Sequence, residues 1–218
     1  MSHIFDWIFS QYHGVPAYIV VLELVAVTFG VFSVIYSKKN NVLVYPTGII
    51  STFIFVYILY VYGLLGDMII NAYYFSMSIY GWYIWTRKVD ETHYTPITKT
   101  NKKEQQYIPI LFVGTLLFIT LVYLLFGNLE KDFFHKSNFA SYVDVITTGF
   151  FFVGMWLLAK RKLENWTYLI IGNIISIPLY IYKGLIFSAL LYVTLTIIAF
   201  YGYYVWKKIL HSNPLQGL

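Results

Sequence analysis

The chain has 218 residues, of which 59% are hydrophobic, 21% aromatic and only 11% charged. Soluble domains carry roughly 25% charged residues, so this composition points to a membrane protein. The formal charge of +5 arises from Lys and Arg in short segments between apolar runs rather than on one basic face, which sets aside nucleic-acid binding, and the absence of cysteine excludes disulfides and thiolate metal sites.

In chain order, Ile4 to Tyr12 is expected at a membrane interface, and no cleaved signal peptide is expected. A bilayer core of about 30 Å is crossed by about 20 helical residues. Runs of that kind lie near 17–37, 43–62 and 67–86, then, after a polar connection from Arg87 to Gln106 read as a linker, near 107–126, 142–159, 166–182 and 185–206. They are apolar all round, whereas a barrel strand alternates. The prediction is an all-α integral membrane protein with seven transmembrane helices.

Lys and Arg number twelve on the side holding Lys38, Arg87, Arg161 and Lys208, against three (Lys131, Lys136, Lys183) on the other. The positive-inside rule places the amino terminus outside and the carboxyl terminus in the cytoplasm. His3, His13, His93, His135 and His211 all lie outside the apolar runs, which argues against a haem or a proton relay inside the membrane.

Tyr80-Gly81-Trp82-Tyr83-Ile84-Trp85 ends the third helix, and Tyr201-Gly202-Tyr203-Tyr204-Val205-Trp206 ends the seventh, 121 positions later. Glu23 and Asp144 share that spacing, and with a small gap Ile49-Ile50-Ser51 matches Ile174-Ile175-Ser176. These matches predict two parallel three-helix repeats joined by a linker helix, a 3+1+3 arrangement. The units are residues 1–86, residues 87–141 holding the loops and linker helix, and residues 142–218.

Polar groups in apolar helices are costly, so they mark candidate functional positions. In the third helix Asn71, Tyr74, Ser78, Trp82 and Trp85 recur at helical spacing; in the sixth, Trp166, Asn173, Ser176 and Tyr180 do so beside Pro178; the seventh adds Tyr192, the counterpart of Asn71, and Thr196. Such residues also serve simply to join helices by hydrogen bonds. Asp67 and Asp144, at helix starts, suit the helix dipole, whereas Glu23 lies about 9 Å into its helix and could attract a cation or pair within the bundle. No catalytic motif, cofactor signature or metal-ligand set is present, so an enzyme is not expected.

Trp166, the stretch from Asn173 to Gly184 (NIISIPLYIYKG), Ala189 to Tyr192, and Gly202 to Trp206, with Tyr80-Gly81-Trp82 in the first half, resemble the Pnu-type vitamin transporters. That family is similar in outline to SWEET sugar carriers, and its best known members carry nicotinamide riboside. The resemblance implies facilitated diffusion of an unphosphorylated vitamin across the bacterial inner membrane, with a cytoplasmic kinase trapping it. Riboside carriers typically show W-x-x-W where this chain has Trp166-Thr167-Tyr168-Leu169, and many have Asp where Asn173 stands. Thiamine, another flat cation, is therefore the alternative cargo, and a receptor without transport is a third reading. The expected substrate contacts are ring stacking by Trp166 and Trp82, closure by Tyr74, Tyr180 and Tyr192, and hydrogen bonds from Asn71, Ser78, Asn173 and Ser176. A homo-oligomer is left open.

Overall fold

Long uncharged runs leave the backbone no solvent for its polar groups, and each run closes them in a helix. The computed structural model describes residues 16–62, 65–87, 95–126, 138–182 and 186–212, with side chains except those of 65–67, 126, 138–141 and 186–188. Among these residues are seven α-helices: α1 (Ala17–Lys38), α2 (Val44–Val61), α3 (Leu65–Thr86), α4 (Lys102–Phe126), α5 (Asn138–Ala159), α6 (Asn165–Tyr182) and α7 (Ile186–Ser212). The segment Ile4–Tyr12, His3, His13, His93, His135, the side chain of Asp67, and Lys131, Lys136 and Lys183 lie outside the described residues.

Five helices, α1, α2, α4, α5 and α7, are long and apolar enough to cross a membrane. The two that fall short carry polar residues inward: α3 buries Ser78, and α6 buries Asn165, Asn173 and Ser176. Large apolar side chains point the other way, with Leu24 68%, Leu117 69% and Ile197 65% exposed. Polar inside and apolar outside is the pattern expected when lipid is the solvent.

Helix α4 begins five residues before its apolar run. Asn101 Oδ1 accepts from Glu104 N–H at 2.8 Å and Glu104 Oε2 accepts from Asn101 N–H at 3.0 Å, a reciprocal capping box. The preceding residues are more than a linker, because Ile97 is fully buried and Thr98 pairs with the turn after α5 through Thr98 N–H to Arg161 O (3.1 Å) and Leu163 N–H to Thr98 O (2.9 Å). Glu104 also pairs with Lys162 at 2.9 Å and Lys160 at 3.5 Å.

The turns after α1 and α5 are alike. Asn40 and Arg161, 121 positions apart, both have positive φ (53° and 58°). In each turn the next amide bonds back to the carbonyl five residues earlier, Asn41 to Tyr36 (3.0 Å) and Lys162 to Leu157 (2.9 Å), a Schellman stop. Asn tolerates the left-handed region and Arg does so poorly, at a cost of about 1 kcal/mol. The guanidinium offsets this by donating to Asn40 Oδ1 from Nε (3.1 Å) and Nη2 (2.8 Å), donating to Thr95 O, and lying 4.5 Å from the Trp85 ring centre. Burial lowers its pKa from the ordinary arginine value, and the nearby Tyr45 opposes that shift.

Helices α1, α2 and α3 pack on one another in sequence, as do α5, α6 and α7; α3 meets α5, α1 meets α7, and α4 lies on α5 and, more lightly, on α3. The two cross-contacts end alike. Trp85 of α3 donates its indole N–H to Leu158 O of α5 (3.1 Å), and Trp206 of α7 donates to Ser37 O of α1 (3.0 Å). Both carbonyls belong to the last turn of a helix, where intrahelical donors run out, and each bond is worth about 1 kcal/mol net. Tyr45 meets Trp85 edge-on at 5.1 Å, Trp166 meets Trp206 edge-on at 5.6 Å, and the indoles of Trp85 and Trp206 meet at 5.7 Å. A four-aromatic plug thus joins the helix groups at the end where Lys38, Arg87, Lys160 and Lys207 gather.

Candidate functional site: a cavity between the helix groups

Trp166 of this plug forms the floor of a cavity of about 310 Å³, within the range of small-molecule sites. Six helices line it and α4 does not. Positions 121 apart contribute in pairs: Gly30 and Phe151, Val34 and Met155, Gly48 and Leu169, Thr52 and Asn173, Tyr74 and Leu195, Ser78 and Ala199. The spacing that relates Asn40 to Arg161 therefore holds without a gap into α2 and α6. The expected match of Ser51 with Ser176 needs a gap, and the contacts place Thr52 opposite Asn173 instead.

Of the expected residues, Tyr74, Ser78, Trp166, Asn173 and Tyr192 line this cavity together. Trp166 is 1% exposed at its floor, with its indole N–H lacking a partner among the described residues. Asn173 is also buried, and no hydrogen bond engages its side chain among the described residues. Tyr180 stands beyond the lining and reaches it through Tyr192, the ring centres 4.9 Å apart, and Tyr192 in turn lies parallel to Phe151 at 6.1 Å.

The others lie elsewhere. Ser176 is buried and donates to Gly172 O at 2.9 Å, and Asn71 is half-buried and outside the lining. Trp82 is 43% exposed and faces away, because Gly81 takes the inward slot against the Tyr45 ring and Trp85 the next. Glu23 is half-buried on α1 and outside the lining, and Asp144, at the same seventh position of α5, lies in the second turn rather than the first because α5 starts at Asn138. Thr196 is buried and donates to Tyr192 O at 2.7 Å.

Sequence reasoning missed the contribution of α1, α2 and α5: Gly30, Ser33, Gly48, Thr52, Phe151 and Met155. Extending the 121 spacing from Asn173 to Thr52 and from Trp166 to Tyr45 would have pointed to α2. No ionised side chain lines the cavity. It can hold a flat, neutral or cationic molecule by ring contacts and a few hydrogen bonds.

Comparison with known proteins agrees with this picture. Residues 20–208 match the model of a family described as nicotinamide mononucleotide transporter. The nicotinamide riboside transporter PnuC of Escherichia coli (strain K12) is 22% identical over 203 residues, spanning 85% of this chain and 84% of that protein. Its namesake from Neisseria mucosa is 24% identical over 203 residues, spanning 89% and 75%. The crystal structure of the vitamin B3 transporter PnuC aligns with a TM-score of 0.64 at 22% identity, covering 93% of this chain and 86% of that one, so the fold is shared. The family consists of transporters rather than enzymes, and over most of its length this chain belongs to it: a member of the nicotinamide mononucleotide transporter family.

Proposed function

We propose that the protein imports nicotinamide riboside by facilitated diffusion across a bacterial inner membrane, with uptake driven by a cytoplasmic kinase. The observation that carries this reading is the charge of the cavity. A mononucleotide brings a phosphate of charge near −2, which needs Lys, Arg or a helix amino terminus to replace its water. No Lys or Arg lines the cavity, whereas its rings suit a pyridinium, with about 2 kcal/mol available from one desolvated cation–π contact. The names of the relatives support the riboside, and the family's name is the less specific guide.

In this reading residues 1–86 and 142–218 form parallel three-helix repeats, with α4, in residues 87–141, as the linker, making seven spans. Rocking of one triplet against the other exposes the cavity alternately. The amino terminus is outside and the carboxyl terminus cytoplasmic, so the aromatic plug and the Arg161–Asn40 pair close the cytoplasmic end. A reporter fused after Leu218 that is active only outside the cell would refute that orientation. Trp166 meets the ring from the floor and Asn173 hydrogen-bonds the substrate. Ser176, Tyr180, Asn71 and Trp82 act one step removed, as packing or entry residues, and Glu23 draws cations towards the outer end.

Leu169 supports the second cargo, because it lines the cavity where riboside carriers carry a second Trp. Equilibrium binding to the purified protein decides between them. Affinity for the riboside and none for the mononucleotide is expected; affinity for thiamine alone would replace the riboside. Uptake that survives both Trp166→Ala and Asn173→Ala would refute the site.

A further inference from the structure

The two walls of the cavity differ in chemistry although the positions correspond. From α5, α6 and α7 come Phe151, Met155, Leu169, Leu195 and Ala199 around Trp166, Asn173 and Tyr192. From α1, α2 and α3 come Ser33, Ser51, Thr52 and Ser78, with Gly30 and Gly48 between them. The glycines draw the hydroxyls together. A Cβ at Gly48 would lie 3.2 Å from both Ser33 Oγ and Ser78 Oγ, and one at Gly30 would lie 3.1 Å from Ser51 Oγ.

Three of these hydroxyls have already committed their single proton. Ser33 Oγ donates to Val44 O at 2.7 Å, Thr52 Oγ1 to Gly48 O at 2.8 Å and Ser78 Oγ to Tyr74 O at 2.8 Å. A hydroxyl has one proton and two lone pairs, so what these groups retain is acceptor capacity. Ser51 is 5% exposed, lines the cavity, and its hydroxyl has no partner among the described residues. Its oxygen is open to the cavity, so both its proton and its lone pairs can serve a bound ligand.

We propose that the wall built by α1, α2 and α3 is a subsite for the hydroxyl-bearing part of the substrate, with Ser51 as its specificity-determining residue and Ser33 and Ser78 as further acceptors. This rests on the reading of the cavity as the transport site. A sugar hydroxyl can donate to Ser33 and Ser78 and can either donate to or accept from Ser51.

The test is equilibrium binding to the purified full-length chain, using nicotinamide riboside and its 2′,3′-dideoxy analogue with wild type, Ser51→Ala and Phe151→Ala. Ser51→Ala should weaken the riboside about tenfold, the worth of one hydrogen bond, and leave the dideoxy analogue unchanged. Phe151→Ala should weaken both ligands alike. Ser51→Cys, which keeps the side chain's size, repeats the measurement should Ser51→Ala fold poorly. Equal loss for both ligands, or no loss for either, overturns the subsite. A wild type that binds thiamine instead of the riboside refutes the cargo, and the same comparison with thiamine and its analogue lacking the hydroxyl then decides the subsite. Binding of neither vitamin overturns both.

Discussion

Adding one methyl group at Gly202 tests whether the cavity floor is packed as described. A Cβ there would stand 2.6 Å from Cη2 and Cζ2 of Trp166 and 2.8 Å from its Cε2, where carbon atoms settle at about 3.5–4.0 Å. The indole would have to withdraw by about 1 Å, and its edge already rests on Trp206, with the ring 1% exposed. Overpacking of this kind costs about 1–3 kcal/mol, against a gain of about 1 kcal/mol from replacing a helical glycine by alanine. The expected net loss for Gly202→Ala is up to about 2 kcal/mol. Gly114→Ala is the control, because nothing lies within 4 Å of a Cβ there, and helix propensity alone should raise stability by up to about 1 kcal/mol. Thermal unfolding in detergent, followed by tryptophan fluorescence, should give a lower Tm for Gly202→Ala and an unchanged or higher one for Gly114→Ala. Trp166→Phe removes the ring atoms that collide, so in the double variant the two losses should be less than additive. Equal shifts for both glycine variants, or simple additivity with Trp166→Phe, would refute the packing of the floor.

Removal of the guanidinium in Arg161→Ala should loosen the closure at the plug end while leaving the left-handed backbone strained; Arg161→Gly relieves the strain and loses the same latch. In both, a cysteine placed at Ser78, in a chain with none of its own, should react faster with an impermeant thiol reagent added from the side of the membrane that the plug faces, and unchanged labelling would refute the latch. Trp85→Phe and Trp206→Phe each delete one indole bond to a helix-end carbonyl. Their losses in thermal stability should agree to within about 1 kcal/mol, and a large disparity would argue against equivalent roles. Glu104→Ala removes the cap of α4 together with two lysine contacts and should destabilise by about 1–2 kcal/mol, whereas Glu104→Gln, which can still serve a capping box, should lose less. Urea or thermal melts of the two variants that coincide with wild type would refute this role.

The helices themselves were legible because apolar length is a local property. Boundaries of α1, α2, α3 and α6 agree with the apolar runs to within two residues; α5 starts four residues earlier than its run, α7 ends six residues later, and α4 starts five residues earlier with a local cause in the Asn101–Glu104 box. The spacing of 121 was legible too, and it proved a better guide than the local similarity of Ile-Ile-Ser, since gapless extension leads to Thr52 and Tyr45. Among the candidate residues singled out by polarity and helical spacing, Tyr74, Ser78, Trp166, Asn173 and Tyr192 line the cavity. Trp82 was not distinguishable from Gly81 and Trp85 on that basis, because all three fall within one broad face of the helix.

What the sequence determined by itself was the solvent and the secondary structure: too little charge for water, runs of the right length for helices, and a repeated pattern of residues. Only the tertiary structure decided which faces meet. In a soluble helix an apolar stripe marks the interior, but here lipid and protein interior are both apolar, so a helix such as α1 or α2 carries almost no signal of its rotation. Ser33 and Ser51 therefore read as incidental polar residues along the chain, and become neighbours around Gly30 and Gly48 only when three helices pack. Arg161 likewise reads as one of twelve charges at the basic end, and becomes a clasp to Asn40 only because two separate turns are brought face to face.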